Sequence, residues 1–163
     1  MPAAGPYIAV VGASAATPEQ ERGAEEVGRG LAEAGAVVVT GGGAGVMAAA
    51  CRGAGDAGGV VVGILPGSDR SAANEWVGVA LATGLGELRN GLIVRAADVV
   101  VAVGGAYGTL SEVALALATG VPVVGLHTWA IEGVQITDSP QAAVRRVLEL
   151  AAGERRGDVE RRA

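Results

Sequence analysis

Apolar residues along this chain gather in short unbroken runs, and between the runs they recur at helical spacing, so the pattern alternates from one end to the other. Tyr7 to Gly12 is the first run. Thr17-Pro18-Glu19-Gln20 then supplies an N-cap, a proline at the first helical position and a capping-box partner, which predicts a helix start. Ala24, Val27, Leu31 and Ala34 carry that helix along one face, and Gly35 stops it before the β-branched run Val37 to Thr40. The same reading predicts a glycine turn over 41–45, a small-residue helix from Val46 to about Gly55, and a strand over Gly59 to Leu65 closed by Pro66-Gly67.

Residues 68–75 are polar and read as a loop, followed by a strand over Trp76 to Leu81. A helix over Glu87 to Ala97 places Leu88, Leu92 and Ala96 on one face, and Asp98 to Val103 is a strand. Thr109 opens a helix that runs to Ala118, Val121 to Leu126 is the last strand, and Ser139-Pro140 caps a final helix whose Val144, Val147, Leu148 and Ala151 point inward. Continuous apolar strands joined by helices imply a parallel sheet covered on both faces. The expected fold is therefore α/β: a single Rossmann-like, doubly wound domain over residues 1–152, with 153–163 as a charged tail. In that tail Arg155, Arg156, Arg161 and Arg162 alternate with Glu154, Asp158 and Glu160, a solvated pattern.

Composition narrows the chemistry. Of 163 residues, 28 are glycine, and all twelve basic residues are arginine, so no lysine can anchor a Schiff base or serve a Walker loop. A net charge of −5, with no arginine run along a helix face, argues against a nucleic-acid partner. One histidine and one cysteine, with scattered carboxylates, are too few to build a zinc site. The uncharged stretches Ala34 to Cys51 and Val113 to Ile131 are broken by Gly41-Gly42-Gly43 and Gly120-Val121-Pro122, so no membrane span is expected. Met1 to Ala16 has no basic start and does not read as a signal peptide, which makes the cytoplasm the expected compartment.

Ligands of doubly wound sheets bind beyond the carboxyl ends of the strands. The segments expected there are Gly12-Ala13-Ser14, Gly41 to Met47, Pro66-Gly67 and Gly104 to Glu112. Gly104-Gly105-Ala106-Tyr107-Gly108-Thr109 joins a strand to a helix, as Gly41 to Gly45 does earlier. Inward-turned amides at a helix start favour an anion such as phosphate, and glycine also serves tight turns and close packing. Two readings fit Glu112: a carboxylate one helical turn beyond Thr109 at the mouth of the loop, or the partner of Thr109 in a capping box. Two also fit Arg89: a clamp on phosphate or on Glu112, or a solvated surface residue. The spacing of Gly12-Ala13-Ser14-Ala15 is not that of a dinucleotide fingerprint, which disfavours hydride transfer. His127, Cys51, Trp76 and Trp129 read as structural.

Gly41-Gly42-Gly43-Ala44-Gly45-Val46-Met47, then Arg89, then Gly104-Gly105-Ala106-Tyr107-Gly108-Thr109-Leu110-Ser111-Glu112 resemble the LOG (Lonely Guy) superfamily, once labelled lysine decarboxylase-like. The resemblance spans Tyr7 to Trp129. It implies release of a free base and ribose 5-phosphate from a nucleoside 5′-monophosphate such as a cytokinin nucleotide, with Glu112 and Arg89 in the catalytic positions. It implies further that Gly104, Gly105, Gly108 and Thr109 hold the phosphate and that Gly42, Gly43, Gly45 and Met47 line the pocket; Ser14, at the end of the first strand, and Asn90, beside Arg89, are the further candidate binding residues. Val103-Gly104-Gly105 stands where LOG enzymes have a proline before the two glycines, and Arg89-Asn90 where they have arginine-lysine. Both variants resemble a compact sister group that includes molybdenum cofactor carrier proteins, which implies a bound pterin phosphate without turnover. The resemblance implies a homodimer or homotetramer and no required cofactor, with a nucleoside monophosphate or the molybdenum cofactor as ligand.

Overall fold

The computed structural model describes residues 5–162, with side chains described as far as 153. The first residues of the signal-peptide reading and the charged side chains of the tail lie outside that description. Seven strands form one sheet: β1 (Tyr7–Gly12), β2 (Val37–Thr40), β3 (Val60–Leu65), β4 (Val79–Ala82), β5 (Val99–Val103), β6 (Val123–Leu126) and β7 (Val134–Thr137). Every neighbouring pair is parallel, in the order β4-β3-β2-β1-β5-β6-β7. The chain winds outward from β1 to β4, returns, and winds the other way from β5, so the topological switch lies between β1 and β5. That is the Rossmann-like arrangement the alternating pattern predicts.

Three helices cover one face: α1 (Pro18–Glu33), α2 (Val46–Asp56) and α5 (Pro140–Arg162). They enclose a core that includes Val27 and Leu31 of α1, Ala50 of α2 and Val147 of α5, packed on Ile8, Val10, Val38 and Val101 of the strands. Thr17 begins α1 as expected: its hydroxyl accepts from the Gln20 amide at 3.2 Å, and the Gln20 side-chain oxygen accepts from the Thr17 amide at 3.1 Å. The other face carries α3 (Asn90–Arg95) and α4 (Tyr107–Ala118), which bury Ile93, Val94, Val113 and Ala116 on Ala9, Val11, Val39 and Val100. No described helix is long and apolar enough to cross a membrane.

Four elements differ from the sequence expectation. The strand expected over Trp76 to Leu81 is Val79–Ala82, because Asn74 takes the Trp76 amide into a turn and the Trp76 ring lies 5.4 Å from the Arg52 guanidinium. The helix expected over Glu87 to Ala97 begins as a 3-10 turn over Gly86–Arg89 and is α-helical only over Asn90–Arg95. β7 has no counterpart in the expectation; its four residues are half-exposed at the sheet edge, too short for a readable alternation. The final helix continues to Arg162, into the segment read as a tail.

Candidate functional site

The carboxyl ends of β1, β2, β3 and β5 and the first turns of α3 and α4 surround a cavity of about 530 Å³, beside the topological switch. Of the residues singled out in the sequence, Ser14, Met47, Arg89, Asn90, Gly108, Thr109 and Glu112 line it. The remaining glycines do not. Gly42 and Gly43 are held from behind by Asn74, whose amide nitrogen donates to the Gly42 carbonyl and whose side chain donates to the Gly43 carbonyl, both at 2.9 Å. Gly45 has a φ of 62°, and a side chain there would strike the carbonyls of Ala13 and Ser14. Gly105 lies under the Trp129 ring, and Gly104 against the Gln20 side chain. These glycines shape the wall from outside while their neighbours face the cavity.

Sequence reasoning passed over Gly86 and Glu87, which line the cavity because the 3-10 turn delivers them to its rim. It gave Gly41 no role of its own, yet a side chain at Gly41 would sit 2.8 Å from an Arg89 guanidinium nitrogen. Without one, the guanidinium rests directly on the end of β2. Asn74, which pins the glycine turn, left no signal beyond being a polar residue in a polar loop.

The α4 cap differs from the Thr109–Glu112 capping box. Ala106, in extended conformation, is the N-cap, and Thr109 reaches back from the third helical position to accept from the Ala106 amide at 3.2 Å. Glu112 therefore lies well inside the helix, on its buried face, rather than closing the helix end. The first-turn amides of Gly108 and Thr109 have no intrahelical carbonyl within reach, and both residues face the cavity.

Four polar or charged side chains are buried among the described residues: Thr40, Asn90, Thr109 and Glu112. Thr40 meets the Cys51 thiol and accepts from the Gly42 amide at 3.0 Å, holding the turn after β2. The other three belong to the cavity wall. Glu112 Oε1 is 3.8 Å from Arg89 Nη1, a charge pair too long to be a hydrogen bond. Burial pushes the Glu112 carboxyl up to about 7, against the opposing pull of Arg89. Burial likewise lowers the Arg89 guanidinium from its ordinary value, partly offset by Glu112. Arg89 donates from Nη1 to the Asn90 side-chain oxygen, while its Nε is buried without a partner. The cavity thus offers a guanidinium, a row of helix-start amides and a carboxyl that titrates near neutrality. That set suits a ligand with one anionic end, whose charge the amides and guanidinium balance. No group of three potential metal-ligating side chains occurs among the described residues.

The model of the SLOG cluster4 family matches residues 5–152. An uncharacterized protein of Archaeoglobus fulgidus is 41% identical over 138 residues, covering 84% of this chain and 91% of that protein. Among solved structures, the molybdenum cofactor binding protein of Rippkaea orientalis superposes with a TM-score of 0.85 at 36% identity, covering 90% of this chain and 97% of that one. The Moco carrier protein of Chlamydomonas reinhardtii superposes with a TM-score of 0.84 at 34% identity, covering 91% and 99%.

Proposed function

This chain belongs to the SLOG cluster4 family, and from that premise we propose that it binds a phosphorylated nucleotide-like molecule at the C-terminal edge of its sheet, as a carrier of the molybdenum cofactor. The observation that carries the reading is the concentration of buried polar groups on one cavity. Asn90, Thr109 and Glu112, with Arg89, stand where α4 presents free amides. A pterin phosphate would set its phosphate on the Gly108 and Thr109 amides within reach of Arg89. Its ring would extend toward Met47, Gly41 and Pro66, across a cavity of ordinary small-ligand size. Molybdenum arrives here as part of the cargo, held by the ligand's own atoms.

The carrier acts in the cytoplasm, without a nucleic-acid partner, as a homodimer or homotetramer. An apolar surface beside the cavity supports the assembly. The outward positions of α4, Tyr107, Leu110, Ser111, Ala114, Leu115 and Ala118, carry no charge, and Tyr107 and Leu88 are 92% and 81% exposed.

A second reading is favoured by Glu112 itself. A buried carboxyl facing the cavity without a hydrogen bond from any described residue is placed to act on a ligand rather than on the fold. In hydrolysis of a nucleoside 5′-monophosphate, ionised Glu112 would stabilise the oxocarbenium-like state at the anomeric carbon and direct water to it. The N-glycosidic bond breaks, the base leaves with its electron pair and a proton, and ribose 5-phosphate forms.

Anaerobic calorimetry with the molybdenum cofactor, beside chromatography of AMP, GMP and isopentenyladenosine monophosphate digests, separates the two. Saturable cofactor binding with no base released supports the carrier. Base release by wild type that is lost in Glu112→Gln supports the hydrolase, and neither result overturns both.

A further inference from the structure

Arg89 has two candidate acceptors in the cavity wall, and it hydrogen-bonds to the uncharged one. Its Nη1 donates to the Asn90 side-chain oxygen, whereas the Glu112 carboxylate stands off at 3.8 Å. The orientation of the Asn90 amide follows from its other partner. The Ser111 hydroxyl donates its single proton to the Gly108 carbonyl at 2.7 Å, so toward Asn90 it can only accept. The Asn90 nitrogen therefore donates to Ser111 at 3.0 Å, which leaves the Asn90 oxygen turned to Arg89. A directional chain runs from the guanidinium through Asn90 and Ser111 to the first turn of α4. Asn90 is buried, so this arrangement is held by packing as well as by hydrogen bonds.

We propose that Asn90 is a positioning residue that keeps Arg89 available to an anionic ligand by holding its guanidinium on a neutral acceptor and away from Glu112. The physical reason is charge. A guanidinium locked in a two-point pair with a carboxylate is neutralised and has little attraction left for a phosphate. Bonded to an amide oxygen, it keeps its full charge. The same separation leaves Glu112 with only the distant pull of Arg89 and no hydrogen bond from it, so burial prevails and its titration stays elevated. Glu87 and Arg89 are the other charged groups of the cavity wall among the described residues, so Arg89 is the only cation there that can move to Glu112.

The test has two independent readouts. Carbon NMR of isotope-labelled glutamate, with Glu112→Gln assigning the signal, follows the Glu112 carboxyl without any ligand. Calorimetry with AMP as probe follows anion affinity, and this arm alone rests on the proposed phosphorylated ligand. In Asn90→Ala, Arg89 is released to Glu112; the carboxyl titration is expected to fall from about 7 toward its ordinary range, and AMP affinity to drop about tenfold. Asn90→Asp keeps an oxygen for Arg89 but neutralises it, so Glu112 stays high while AMP affinity still drops. Ser111→Ala loosens the chain and shifts Glu112 in the direction of Asn90→Ala by less, which keeps the proposal testable should Asn90→Ala not fold. An unchanged Glu112 titration in folded Asn90→Ala, or in folded Ser111→Ala where the first variant fails, overturns it. If AMP does not bind wild type, the nucleoside-monophosphate form of the ligand reading fails, and the titration still decides the role of Asn90.

Discussion

On one face of the sheet, α1, α2 and α5 bury an apolar core in which Thr40 is the one buried polar side chain among the described residues, its hydroxyl satisfied by Cys51 and the Gly42 amide. On the other, α3 and α4 bury less, leave Leu92, Leu110 and Leu115 facing outward beside Leu88 of the preceding 3-10 turn, and hold Asn90, Thr109 and Glu112 inside. The first face is arranged for cohesion. The second gives up cohesion to place a charge pair in a cavity, and it leaves apolar side chains exposed. The sheet edges repeat the difference: Val79 and Leu81 of β4, paired in register with Val62 and Ile64, are about half-exposed on the thinly covered side.

The hardest way to break the comparison is to hollow out the cohesive face. Leu31→Ala removes a fully buried side chain between α1 and the sheet, and is expected to cost about 2–5 kcal/mol in denaturant unfolding. A smaller cost than that of a matched truncation at Ile93 on the opposite face would invert the ranking.

On the other face, Glu112 should make stability depend on pH with a definite sign. Its folded value of about 7 lies above its ordinary 4.5, so between these the folded state binds more protons than the unfolded chain. The Glu112 contribution therefore lowers stability as pH rises through that window. Glu112→Gln removes this term, and the variant should be more stable than wild type at pH 8 by roughly 1–3 kcal/mol, with the two converging near pH 4.5. Melting curves across that range check it, and parallel profiles would show that the carboxyl is ionised at low cost in the fold.

The smallest effect on the isolated fold is expected at the apolar rim. Leu88→Ser changes an 81% exposed side chain, so single-chain stability should move by no more than ~0.5 kcal/mol. Its readout is assembly: sedimentation should show wild-type oligomers and a shift toward monomer in Leu88→Ser. Unchanged sedimentation would mean the apolar rim of the second face is not where copies meet.

Much of the cohesive face was legible in the residues. The Thr17 to Gln20 box, the spacing of Val27 and Leu31 and the valine runs are local signals, and each is realised as expected. The site was legible by region and less so by residue. Arg89, Asn90, Thr109 and Glu112 meet at one cavity, while Gly42, Gly43, Gly45, Gly104 and Gly105 serve the turns behind it. Gly28 and Gly53 show the same limit: side chains there would strike the backbone of the facing helix, a role no turn motif announces.

By itself the sequence determined the alternation of strands and helices, and with it a parallel sheet and the end at which a ligand can bind, because hydrophobic periodicity and caps act over one or two turns of chain. Only the tertiary structure decided that Arg89 turns to Asn90 rather than to Glu112 and that Glu112 holds its proton to about 7. Those outcomes depend on burial and on competition among groups far apart in the chain. Asn90 and Ser111 are 21 residues apart and meet only once α3 packs on α4. No local pattern of residues encodes which of two acceptors a buried guanidinium will choose.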